Sequence, residues 1–456
     1  MLPIAALPLP ISLLLVFSIG LVLGALVNWA TYRLAWNCRD ISPWSAPAAN
    51  APSRKATDRI PVLGWLGLRR EVFLHGSRFW LRPMGVELAM GVGLALLYGW
   101  EVHQQEFLRV QVAGIGGQPL SVDLWMIPGS FLTTQFIGHT VLIVFMAAAT
   151  FIDIDEKIIP DEITVPGTLL GLLLATLLPM PLLPHLGLTQ QPAAGARVVE
   201  GIPAALQPPD GFQLTIEPVR LAAPNAWPDW LQGAPCGWSL VLGLACFGLW
   251  CFALAPRRWR GRHGVCRGLV LISARIVREL TRSPMVWISM SGFFYVVAIW
   301  WLGGEMWRGL LSSLVGMVVS GSTVWAVRIV GTAALRREAM GFGDVTLMMM
   351  IGTYLGWQAG LMIFFISPFA GLLVGMTQIV LRRGDVIPYG PFLCLGSLAV
   401  IVYWGNFWNP ETMQPIFGLG WLMILVMAGG MLLLGVMLAI WRMLKMWLFG
   451  SEFRDR

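Results

Sequence analysis

Apolar runs near the ~20 residues needed to cross a bilayer recur about eleven times in this 456-residue chain. They lie at roughly 11–30, 86–100, 134–152, 162–183, 237–255, 284–303, 308–330, 345–358, 360–381, 389–404 and 417–441. In hydrocarbon a backbone must satisfy its own N–H and C=O groups, and at this run length only a helix does so. The expected class is therefore all-α: a polytopic transmembrane helical protein of about eleven spans joined by irregular loops. Composition agrees, because 57% hydrophobic and 12% charged residues leave too little polar surface for a soluble chain of this size. The first run has no basic residue ahead of it and no convincing small-residue cleavage site, so it reads as a retained helix.

The net charge of +7 does not point to nucleic acid, because its placement is one-sided. Threading the runs puts 27 of the 31 Lys and Arg on one face, with nine in 31–85 and eight in 256–283. Only Arg109, Arg197, Arg220 and Arg308 fall on the other. The positive-inside rule then sets the N-terminus outside and the C-terminus in the cytoplasm. The arginine-rich stretch Arg257–Arg282 is expected to meet anionic lipid headgroups. Six cysteines, with no Cys-x-x-Cys pair, read as small buried hydrophobes, and no zinc site is expected.

Five regions follow from the pattern. Residues 1–85 form the first span and a basic cytoplasmic loop, in which the short apolar segment Ile60–Arg69 lies on or dips into the membrane surface. Gly20–Leu34 carries small residues suited to close helix packing. Residues 86–183 form a membrane core that opens on Glu87, a carboxylate near a helix start that can stay solvated. Residues 184–303 read as an insertion, because their even number of spans leaves the orientation of the rest unchanged. Nine prolines in 184–236 predict an external loop with little regular structure. A second core at 304–405 and a final span with a basic tail at 406–456 complete the chain.

Two acids stand at membrane boundaries on the same cytoplasmic face. Asp153 closes one apolar run, within Phe151-Ile-Asp-Ile-Asp-Glu-Lys-Ile-Ile-Pro-Asp161; Asp344 opens another, after Gly341 and Gly343 in Glu338–Asp344. Boundary acids are costly and are functional candidates by default. Pro160 interrupts the helical pattern, and Asp161 is a suitable N-cap for the next span. The two glycines allow unusual dihedrals or close approach of an extended strand. A pair of carboxylates that shares one proton can hydrolyse a peptide bond: one activates water and the other polarises the carbonyl.

These residues resemble the type IV prepilin peptidase family of GxGD membrane aspartic proteases. The likeness is carried by Asp153 through Pro160-Asp161 and by Gly341-Phe-Gly-Asp344. It extends through Leu355-Gly-Trp-Gln358 and Ile387-Pro388-Tyr-Gly390-Pro391, and less specifically through Ser312–Gly316, Gly24–Leu34 and Ile60–Arg70. Coverage is expected over roughly 11–183 and 304–404. The resemblance implies Asp153 and Asp344 as the catalytic acids, with Gly341, Gly343, Pro160, Asp161, Pro388, Gly390 and Pro391 in support. It also implies prepilin or pseudopilin precursors as substrates in the inner (cytoplasmic) membrane, cut on the cytoplasmic side. The peptidase reaction needs no cofactor. Many members also N-methylate the product with S-adenosylmethionine, and many carry two Cys-x-x-Cys pairs in the first cytoplasmic loop; here that loop has only Cys38, which puts methylation in doubt. The lysine often found two residues after the GxGD aspartate is Thr346.

Two other readings compete. Aspartates at a cytosolic face, with Asp155, Asp161 and Asp385 recruited, suit a Mg²⁺-dependent polyprenyl-phosphate transferase. An inactive relative or assembly scaffold would use the acids only as interfacial groups.

Overall fold

The computed structural model describes residues 7–39, 41–44, 47, 50–105, 129–178, 182–189, 197–198, 211, 213–254, 285–336, 338–380 and 388–448. The arginine-rich stretch 256–283, most of the proline-rich segment around 190–212, Ile387 and Asp385 lie outside them. The long helices are α1 (Leu9–Arg33), α2 (Leu81–Tyr98), α3 (Gly129–Glu156), α4 (Asp161–Leu177), α5 (Gly237–Leu254), α6 (Met285–Leu302), α7 (Gly304–Leu335), α8 (Gly343–Val380), α9 (Gly390–Val402) and α10 (Trp421–Leu448). Each apolar run overlaps one of them within the described residues. The runs 345–358 and 360–381 share α8, where two helical stretches meet at Gly356 (φ 81°, ψ 174°). Seven helices among the described residues are long and apolar enough to cross a membrane, and two shorter apolar helices cover 286–302 and 390–402.

The chain divides into two compact units. One comprises 1–167, 183–218 and 362–416; the other comprises 168–182, 219–361 and 417–456. In the first, α1 crosses α2 where glycines remove side chains from both surfaces. A Cβ at Gly20 would stand 2.7 Å from the Gly91 Cα, and one at Gly24 would stand 2.6 Å from the Glu87 Cα. Backbones approach this closely only over small residues.

The loop after α1 is built on buried acids. Asp58 accepts from the Lys55 N–H (2.7 Å) and pairs with Arg70, while Glu71 pairs with Arg54. Above them Trp65 and Leu68 pack with Tyr32 as a small apolar cluster. Burial works against the Asp58 charge, but the Lys55 N–H and the guanidinium groups of Arg70 and Arg54 hold its carboxyl below the usual carboxylate range.

The segment after α4 departs from the irregular loop expected there. Strands β1 (Pro184–Thr189), β2 (Arg197–Val198) and β3 (Gln213–Pro218) form an antiparallel sheet in the order β1-β3-β2, with Leu186 opposite Ile216. The prolines at 184 and 218 sit at strand ends, where no ladder bond is lost, and Leu186, Leu214 and Ile216 turn inward. Trp404 and Trp408 secure β1: their indole N–H groups donate to the Pro184 carbonyl (2.8 Å) and to His185 Nδ1 (3.0 Å).

In the second unit, α7 and α8 cross at Gly316 and Gly352, where a Cβ on Gly316 would meet the Gly352 carbonyl oxygen at 2.3 Å. The segment 219–231 is fastened to this crossing. Gln358 Nε2 donates to the carbonyls of Arg220 (2.8 Å) and Ala223 (3.1 Å), Trp357 donates to Leu221 (2.9 Å), and Trp307 donates to Leu231 (3.1 Å).

Candidate active site

Asp153 lies one turn from the end of α3. Lys157, in the left-handed region (φ 58°), stops that helix and returns its N–H to the Asp153 carbonyl (2.8 Å), so Ile158-Ile159-Pro160 turns toward α4. The Asp153 side chain is buried at 3% exposure. Its carboxylate accepts from the Gly390 backbone N–H at the start of α9, and Oδ2 has no hydrogen-bond partner among the described residues. Gly390 is glycine for a steric reason: a Cβ there would press on Asp153 Oδ2 at 2.5 Å and on Ile159 Cδ1 at 2.9 Å.

The other acids on this turn are engaged. Asp155 accepts from Arg82 Nη1 (2.7 Å), whose guanidinium also donates to the Phe151 carbonyl (3.3 Å). Glu156 accepts the backbone N–H groups of Trp36 (2.6 Å) and Asn37 (2.8 Å). Pro160 caps α4 through its carbonyl, which accepts from Ile163 (3.1 Å) and Thr164 (3.4 Å). Asp161 is the first residue of α4, one position inside the N-cap expected from sequence, and an acid in the first turn favours the helix dipole. Pro391 occupies the first turn of α9, just after the N-cap Tyr389, and Pro388 immediately precedes that cap.

Asp344 opens α8 and is also buried, at 7% exposure. Phe342 caps that helix, its carbonyl accepting from Val345 (3.0 Å) and Thr346 (3.2 Å). The Thr346 hydroxyl donates to the Gly343 carbonyl (3.0 Å). Of the two alternatives open to these glycines, neither residue takes a positive φ. Gly341 lies beside the acid: a Cβ there would make an ordinary contact with Asp344 Oδ2 at 3.7 Å. The loop before Asp344 is held on α7 by Arg328, which donates from Nε to the Met340 carbonyl (2.9 Å), pairs with Glu338 and lies over the Phe342 ring at 5.4 Å.

Sequence reasoning missed Arg328 and Arg82, whose partners lie 10 and 73 residues away. It also took Glu87 as a solvated carboxylate. Glu87 is instead 2% exposed and accepts from Trp65 Nε1 (2.8 Å), Asn28 Nδ2 (3.2 Å) and the Val62 N–H. Both N-terminal motifs thus converge on one carboxylate, which neutral donors stabilise without a cation.

Residues 275–376 match the type IV leader peptidase family, a stretch that contains Gly341, Gly343 and Asp344. The resemblance to prepilin peptidases is real. The prepilin leader peptidase/N-methyltransferase of Aeromonas hydrophila is 31% identical over 110 residues, covering 23% of this chain and 36% of the relative. That of Pseudomonas putida is 30% identical over 112 residues (24% and 38%), and that of Burkholderia pseudomallei 24% over 148 residues (31% and 45%). The chain therefore spans less than half the length of these relatives, 36% to 45%. No solved structure matches it. The match to this family and the apolar helices among the described residues together indicate an integral membrane protein.

Proposed function

We propose that the protein is a membrane aspartic endopeptidase that removes the leader from prepilin-like or pseudopilin-like precursors, with Asp153 and Asp344 acting together. The observation that carries this reading is the state of Asp153: a buried carboxylate with one oxygen unpartnered among the described residues, on a turn where both neighbouring acids are engaged. Buried polar atoms are normally satisfied, so an unpartnered carboxylate oxygen at a membrane boundary makes Asp153 a candidate for chemistry. Asp344, which lies in the stretch that matches the family, is the second acid in this reading. In the reaction, one ionised carboxylate takes a proton from water as its oxygen attacks the scissile carbonyl carbon, and the other acid, protonated, donates to the carbonyl oxygen. Collapse of the tetrahedral intermediate breaks the C–N bond, and the leaving amine takes up the proton.

The site belongs on the cytoplasmic side of the inner membrane, because the one-sided distribution of Lys and Arg puts both acids there. Peptide hydrolysis in this form uses no metal or cofactor. The test is co-expression with a candidate precursor. Asp153→Asn and Asp344→Asn are each expected to abolish leader removal at unchanged protein level, and normal processing by either variant would sink the reading. The mass of the mature N-terminus in the same samples reports whether S-adenosylmethionine-dependent methylation accompanies cleavage.

A further inference from the structure

α7 ends at Leu335, and Arg336, in the left-handed region (φ 55°), turns the chain back along the helix it has just left. Trp325, Arg328 and Thr332 are spaced three and four residues apart, which sets them in a row on one face of α7. Each meets a different part of the loop that leads to Asp344. The Trp325 ring packs edge-on against Phe342, with centroids 5.8 Å apart, and the Thr332 hydroxyl accepts the Ala339 N–H (3.3 Å). Between them Arg328 makes contacts of three kinds: Nε donates to the Met340 carbonyl (2.9 Å), Nη2 pairs with Glu338, and the guanidinium lies 5.4 Å from the centre of the Phe342 ring. Gly331 completes the seat, since a Cβ there would stand 2.9 Å from the Ala339 Cβ.

Phe342 passes this anchorage on to the acid. Its carbonyl accepts the N–H groups of Val345 and Thr346, so the first turn of α8 starts from the residue that Trp325 and Arg328 grip, two positions before Asp344. Glu338, Ala339 and Gly341 are exposed whereas Asp344 is buried. An exposed loop therefore rests on α7 while its far end turns inward. Arginine suits this task, because a planar fork serves a carbonyl, a carboxylate and an aromatic face at once, and the compact ammonium of lysine does not. Stability is the lesser part of it: Glu338 is 68% exposed, and a pair so open to solvent contributes little. Geometry is the greater part, since a misplacement of about 1 Å at a reacting group can cost about 100-fold in rate. Resting on the peptidase reading above, we propose that Arg328 is a positioning residue for the reaction, fixing the Asp344 carboxyl through Phe342.

The test compares Arg328→Lys with the unsubstituted full-length protein in phospholipid vesicles, using a prepilin-like precursor. The lysine keeps the charge but loses the fork. It is expected to lower kcat about ten-fold or more while KM stays within about two-fold, as when an interaction made only at the chemical step is removed. A smaller folded population would also lower the apparent kcat, so the pH–rate profile is measured on the same samples. A displaced Asp344 has altered surroundings and shifts the profile, whereas loss of folded protein lowers it without moving it. Hydrogen exchange gives a reading independent of cleavage: the amides of Ala339, Val345 and Thr346 should exchange about ten-fold faster in Arg328→Lys, with those of residues 310–324 in α7 unchanged. Unchanged kcat and exchange in Arg328→Lys would overturn the positioning role while leaving the peptidase reading intact. A lowered kcat with an unmoved profile would also overturn it, making Arg328 a folding residue only. Absence of cleavage by the unsubstituted protein would count against the peptidase reading itself, and the proposal would fall with it.

Discussion

The loop around Asp58 and the last turn of α3 both bury carboxylates, and they treat them in opposite ways. In the loop, Asp58 and Glu71 are 1% exposed and each is matched by an arginine. At the end of α3, Asp153 is 3% exposed and meets one backbone N–H, with Oδ2 left over. Burial with a cation fixes structure, since removing either partner strands a charge. Burial without a cation, and with an oxygen left over among the described residues, sets Asp153 apart from these pairs and from Glu87, which neutral donors enclose. The contrast matters more than depth of burial, which is nearly the same in the two places.

The largest effect that can break this comparison is expected in the loop. Arg70→Ala should destabilise the protein by about 3 kcal/mol, the low end for a broken buried pair because Arg70 is itself a quarter exposed. Thermal unfolding would show it, and a loss well below 1 kcal/mol would mean the pair is not structural.

A buried titratable ring sharpens the point. His185 accepts from Trp408 at Nδ1, and burial pushes its pKa down from 6.5 to about 4. The unfolded chain therefore takes up a proton near pH 6.5 that the folded protein refuses until about pH 4. Stability from this residue is complete above pH 6.5 and drains away as pH falls toward 4, by about 3 kcal/mol in all. His185→Gln should remove that slope from a plot of unfolding free energy against pH, and a slope that persists would assign it to other groups.

At Asp153 the smaller perturbation is steric. Gly390→Ala keeps every charge but pushes a methyl onto Oδ2, and a displacement on that scale should cost about 100-fold in kcat with little change in thermal stability. Equal losses of stability and activity would make Gly390 a packing residue only. The smallest effect belongs to Arg82 and Asp155. Their pair is partly exposed, at 40% and 19%, so Arg82→Gln should cost less than about 1 kcal/mol of stability.

Much of this was legible in advance. Run length specified helices, and the boundary acids stood out because charge is costly there. The glycines of α1 read correctly as packing positions. What escaped was whatever depends on a distant partner. Nothing local to Glu87 indicates that Trp65 and Asn28 will enclose it, and nothing near Asp155 announces an arginine 73 residues earlier. The sheet at 184–218 escaped because proline count outweighed the short apolar alternation of Leu186, Leu214 and Ile216, although the prolines lie where strands tolerate them. Gly390 was selected only as part of a motif; its pressure on Asp153 becomes visible only in three dimensions.

The most direct test of the difference between an engaged acid and a free one lies within a single turn of α3. Rates of leader removal should be measured for Asp153→Asn and Asp155→Asn, side by side, in the same vesicles and with the same precursor. No detectable cleavage is expected from the first variant, and a rate close to that of the unsubstituted protein from the second. Comparable activity in both variants, or loss confined to Asp155→Asn, would contradict this expectation.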